Sequence, residues 1–148
     1  MKNVHVFINP KYEKLNEGFC TTIVKKVLTH YDFKSFDVNL IFTSDTYVSN
    51  LKNEFFSKTQ WTDVIAFPMH SKNEKSVDGE IYISMPTAKG NAKLYNQPYG
   101  KELARLVIHG SLHLLGIEDD TVKKKEKMIK LEEYFLKDIS WEELIEKK

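Results

Sequence analysis

A single cysteine, Cys20, stands in a chain of 148 residues, so no disulfide can form within it and a cysteine-rich zinc site is excluded. Charge of one sign is lacking as well. The 22 Lys and Arg against 21 Asp and Glu leave a net +1, so no global field recruits nucleic acid or membrane. An anionic partner has to be met by a local patch. Long apolar runs are missing too: the run nearest the N-terminus, residues 3–9, is far too short for a signal peptide or a membrane span. What is there is a globular balance, 41% hydrophobic and 29% charged, at a length usual for one domain. The expectation is one soluble, cytoplasmic domain over residues 1–148 with no membrane partner.

Periodicity supplies the elements. Asn3–Asn9 is β-rich and closed by Pro10. Leu15, Phe19, Ile23, Val27 and Tyr31 recur at i, i+4, which predicts an amphipathic helix over about residues 12–30. Phe36, Val38 and Leu40 alternate with polar neighbours as a second strand. Ser44 and Asp45 can cap a helix carrying Val48, Leu51 and Phe55. Asp63–Phe67 reads as a buried strand. Residues 70–79 read as polar, with the turn pair Asp78-Gly79, followed by a strand over Glu80–Met85 that Pro86 ends. Thr87–Pro98 reads as a loop with a short helical turn. Lys101–Leu115 is the most apolar helix, stopped by Gly116, and a last helix carries Met128, Leu131, Phe135 and Ile139. The order predicts an α+β fold, a single mixed sheet of about four strands packed with about four to five helices.

Chemistry concentrates at the end of the apolar helix. His109 and His113 lie one turn apart, so both imidazoles leave the same face. Gly116 lets the chain leave the helix through positive φ, and Glu118-Asp119-Asp120 follows at once. A carboxylate swung back toward the two rings completes a donor set for a divalent metal with an open position for water. His109, His113, Gly116 and Asp119 reproduce the offsets of the metzincin protease motif. That motif needs a Glu base after the first histidine, and here Gly110 stands there. The spacing therefore favours a metal and disfavours that proteolytic chemistry. His5, His30 and His70 are isolated, with His70 alone a distant participant. Ser111 faces away from the histidines and makes no Ser-His pair.

Leu103-Ala104-Arg105-Leu106-Val107-Ile108-His109-Gly110-Ser111-Leu112-His113-Leu114-Leu115-Gly116 resembles the signature of the YbeY-type metal-dependent endoribonucleases of bacterial rRNA maturation. Thr62-Asp63-Val64-Ile65-Ala66-Phe67 and Gly79-Glu80-Ile81-Tyr82-Ile83-Ser84 are similar to two strand motifs of that family. The likeness runs in order from about Leu51 to Leu131. Three positions depart from it, one of them Glu118, which stands where the family usually has Asp. Asp119 stands where the family usually has a third histidine, with Asp120 a second candidate carboxylate, and Phe56 stands where the family usually carries an arginine linked to activity. Lys58 is the nearest cation.

The resemblance implies a zinc-dependent hydrolase that cuts single-stranded RNA in rRNA processing and ribosome quality control. One Zn2+ per chain would be held by His109, His113 and Asp119 at the end of the buried core helix. Other divalent ions can take its place, and a metal-bound water is the candidate nucleophile. Ribosomal proteins are the candidate protein partners. Lys123, Lys124, Lys125, Lys127 and Lys130 form a basic cluster that can meet phosphates, and Trp61, Tyr95 and Tyr99 can stack bases. Two other readings stand beside this one, a metalloprotease and a metal-stabilised ribosome- or RNA-binding module with little catalysis. An iron oxygenase has only its ligand types in favour.

Overall fold

Along Ser35–Thr43 (β2), Phe36, Val38, Leu40 and Phe42 are buried, and the residues between them turn to the other side of the sheet. This strand is the middle of the architecture. A computed structural model describes residues 2–56, 63–70 and 75–145. Lys2–Ile8 (β1) runs parallel to β2 on one side, and Ser76–Ser84 (β4) runs parallel to it on the other. Val64–Pro68 (β3) closes the edge antiparallel to β4, giving a four-stranded mixed sheet in the order β1-β2-β4-β3.

Five α-helices accompany the sheet among the described residues: Glu17–His30 (α1), Asp45–Phe56 (α2), Met85–Leu94 (α3), Tyr99–Leu114 (α4) and Val122–Leu136 (α5). A short 3-10 turn, Trp141–Glu143, follows. The α+β class and the mixed sheet are as expected. α1, α4 and α5 share one apolar core with the buried faces of β2 and β4. α2 meets the opposite sheet face through rings, Phe55 on Phe67 and Tyr47 on Tyr82.

Three local readings are corrected. α1 begins at Glu17, because the Asn16 side chain accepts from the Phe19 N–H and caps it there. Leu15 instead forms a β-bridge with Ile145. Asp78 and Gly79 lie inside β4 rather than in a turn. A Cβ on Gly79 would sit 2.6 Å from the Phe67 carbonyl oxygen and 2.7 Å from Leu114 Cδ2, so this glycine marks a close approach of strand and helix end. Most of Thr87–Pro98 belongs to α3, whose first turn is capped by Ser84 and carries Pro86.

α4 carries more buried residues than α1, α3 or α5. Leu103, Ala104, Leu106, Val107, Ile108, Leu112 and Leu114 are all essentially inaccessible. It is the rigid post on which the two histidines stand.

Candidate metal centre

The end of α4 is shaped by its cap. Gly116 takes φ +84°, and its N–H donates to the His113 carbonyl while the Ile117 N–H donates to that of Leu112. This is a Schellman arrangement, and Ile117 packs against the core as such caps usually do. The reversal carries Asp119 back over the helix end. Its Oδ2 stands 3.5 Å from His109 Nε2 and its Oδ1 stands 3.5 Å from His113 Nε2. The two Nε2 atoms are 2.9 Å apart. Among the described residues, this is the one group of three metal-type donors whose atoms all lie within 4.8 Å of one another.

Two imidazole nitrogens and one carboxylate oxygen facing a common point are a zinc-type donor set. Four donors at ~2.0–2.1 Å from one ion would stand roughly 3.3 Å apart, close to the separations seen. The residues present therefore fit a divalent ion. His109 is 15% exposed, His113 28% and Asp119 34%, so the point they face is reachable from solvent. The His113 imidazole is held below its ordinary value chiefly by burial, next by the adjacent His109 ring, with Asp119 pulling the other way. That favours the neutral ring a metal needs.

Neighbouring acids are turned elsewhere. Glu118 and Asp120 both reach Lys124 Nζ, at 3.0 and 3.3 Å. Asp119 alone of the triplet faces the rings. The other histidines stay outside the cluster: His70 Nδ1 meets the Asp78 backbone, His5 pairs with Asp37, and His30 packs among Tyr31, Tyr134 and Phe135. The buried Ser111 hydroxyl donates to the Val107 carbonyl and makes no nucleophile. Tyr99 is tucked into the core with its hydroxyl toward the Met85 carbonyl, whereas Tyr95 is exposed. The side chain of Phe56, together with Lys58 and Trp61, lies outside the described residues.

A second layer was not read from the sequence. His109 Nδ1 stands 2.6 Å from Glu132 Oε2, and Glu132 Oε1 accepts from Arg105 Nη1 at 3.0 Å. Arg105 in turn grips Glu102 with Nε and Nη2 at 2.8 and 2.7 Å. The Arg105 guanidinium is pushed above its ordinary value, first by its hydrogen bonds to Glu102, against the opposing effect of burial. One sequence signal was available: Glu132 follows Met128 by four and precedes Phe135 by three, a charged residue on an apolar stripe.

Fold and site together define an α+β protein with two histidines and one carboxylate gathered at the end of its core helix. The family model described as Endoribonuclease YbeY matches residues 4–140. This chain belongs to the Endoribonuclease YbeY family. It is 32% identical over 135 residues to the Endoribonuclease YbeY of Amoebophilus asiaticus, covering 90% of this chain and 91% of that one. The Cytophaga hutchinsonii Endoribonuclease YbeY is 36% identical over 131 residues, covering 86% and 91%. A solution structure of TM1509 from Thermotoga maritima matches with a TM-score of 0.62 at 23% identity, over 91% of this chain and 87% of that one. At that identity the likeness concerns the fold.

Proposed function

We propose that this chain is a zinc-dependent endoribonuclease that cuts single-stranded RNA in ribosomal RNA processing and ribosome quality control, acting in the cytoplasm. The observation that carries the metal dependence is the convergence of His109, His113 and Asp119 on one point at the end of α4. Family membership carries the RNA cleavage. A divalent ion bound there supplies Lewis acidity toward a phosphate oxygen and a water activated at neutral pH. His109 and His113 would hold it through Nε2 and Asp119 through its carboxylate, and other divalent ions can substitute for zinc.

The remaining residues bind and exclude. Tyr95 is exposed beside Gln97, Lys101 and Arg105 in a groove that reaches Glu132, and it offers a ring for a base to stack on. Lys123, Lys125, Lys127 and Lys130 are exposed along α5 and offer cations to the RNA backbone. Arg105 does not take the role of the family arginine, because Glu102 and Glu132 already occupy its guanidinium edges. Ribosomal proteins are the proposed protein partners. No described helix is long and apolar enough to cross a membrane. Core contacts run from Leu15 to Leu144, and that continuity supports residues 1–148 acting as one domain.

Proteolysis is disfavoured by the packing of Gly110. A side chain there would strike Ile81, so the position after His109 has no room for the Glu base that metzincin chemistry requires. The test incubates the full chain with single-stranded RNA and with casein, each with and without a chelator. RNA cleavage lost to chelator, restored by Zn2+ and absent in His113→Ala is expected, with casein intact. Chelator-sensitive casein hydrolysis without RNA cleavage would reverse the reading. Zinc binding without cleavage of either substrate would favour the binding module.

A further inference from the structure

Glu132 is 2% exposed, between Met128 and Phe135 on the buried face of α5. A carboxylate so placed persists only where its oxygens are matched. Each has a different partner: Oε1 takes Arg105 Nη1 at 3.0 Å, and Oε2 takes His109 Nδ1 at 2.6 Å. Arg105 is fixed at its far edge by the two-point grip on Glu102, itself buried, so its Nη1 is aimed rather than free to swing. Asp63, anchored by the Asn91 amide at 3.0 Å, adds a carboxylate 3.9 Å from Nη2. Glu102, Arg105 and His109 occupy one side of α4, and Glu132 reaches across from α5 to join the last two.

The consequence falls on His109. A carboxylate countered by Arg105 has no proton to donate, so the hydrogen of this short contact sits on Nδ1. In the neutral ring that a metal requires, the lone pair is then on Nε2, the atom that faces His113 and Asp119. We propose that Glu132 is a positioning residue for the metal centre: it holds His109 as the Nδ1–H tautomer with Nε2 aimed at the ion, and the Arg105–Glu102 grip holds Glu132 in place. This inference rests on His109, His113 and Asp119 being the metal donors. Both Glu132 oxygens are taken, by Arg105 and His109, so it acts on the centre through His109. Carboxylates of this kind raise ligand basicity and pre-set ring orientation, and their loss typically costs 10–100-fold in metal affinity.

The test measures Zn2+ affinity by chelator competition for the full chain, Glu132→Gln, Arg105→Lys and His113→Ala. The ring-nitrogen NMR spectrum of His109 and the melting temperature are recorded after chelation. Glu132→Gln should bind Zn2+ on the order of 10–100-fold more weakly, with Arg105→Lys between it and the native protein. His113→Ala should lose more than either. The native protein should show His109 as the Nδ1–H tautomer alone, and Glu132→Gln should show both. A merely structural Glu132 would lower the melting temperature and leave affinity and tautomer unchanged, which overturns the proposal. An Nε2–H tautomer in the native protein overturns it even if no variant folds. Native affinity no greater than that of His113→Ala would overturn the metal reading and this inference together. Loss confined to His113→Ala overturns this inference alone.

Discussion

A Cβ built on Gly110 would stand 2.5 Å from Ile81 Cγ2, so core helix and central sheet meet at the residue just after the first histidine of the pair. Ile81 is fully buried and β-branched, and Val64 Cγ2 closes the other side at 3.3 Å. Ile81, enclosed in the core, cannot swing clear. Gly110→Ala should therefore destabilise the protein by about 1–3 kcal/mol even though alanine is the better helix former. Urea denaturation of the two proteins measures this. A gain in stability would mean that α4 sits farther from β4 than described.

The post that carries the site has its own test. Leu106 is 1% exposed within α4. Leu106→Ala should cost about 2–5 kcal/mol by denaturant titration. A loss under about half a kilocalorie would place the helix at the surface and leave the histidines without rigid support.

The donor cluster was legible because it is local: two histidines one turn apart and a glycine cap place His109, His113 and Asp119 within eleven positions of one another. β2 and α5 were legible because their large apolar residues recur at the strand and helix periods, and α4 because it is apolar almost all round. α3 was not, since its buried stripe is Met85, Ala88 and Ala92, mostly small side chains with little hydrophobic contrast. Asp78-Gly79 looked like a turn because the sequence cannot display what Gly79 avoids, the Phe67 backbone and Leu114. The Glu132–His109 contact spans 23 residues and two helices, so only the packing of α5 on α4 reveals it. The strand order β1-β2-β4-β3 is likewise a property of packing.

His113 gives a pH dependence with a definite sign. Its imidazole is lowered from 6.5, first by burial, so the folded chain binds that proton more weakly than the unfolded chain. Between the lowered value and 6.5 the unfolded chain carries more protons, and stability rises with pH across that interval. The contribution is fully present above the unfolded value and is lost as pH falls through the window beneath it. Melting curves of the chelator-treated protein from about pH 5 to about pH 7.5 should show this slope, and His113→Gln should flatten it. Equal slopes would show that His113 titrates as it does in the unfolded chain.

Asp119 is separated from its acidic neighbours by what Lys124 holds. Glu118 and Asp120 lie at 3.0 and 3.3 Å from its ammonium, whereas Asp119 faces the histidines. Asp119→Ala should weaken metal binding, because two imidazoles alone hold zinc poorly. Asp120→Ala should leave metal content unchanged, and Asp119→His should retain a metal. Metal analysis after dialysis distinguishes the three. Full occupancy in Asp119→Ala combined with loss in Asp120→Ala would transfer the assignment to Asp120.

The most direct measurement is anomalous diffraction at the zinc edge from crystals of the Zn2+-loaded protein. One peak is expected at the end of α4, at about 2.0–2.2 Å from His109 Nε2, His113 Nε2 and an Asp119 carboxylate oxygen. A peak bound by Glu118 or Asp120 with Asp119 turned to solvent, or no peak at these histidines at full zinc loading, would contradict the assignment.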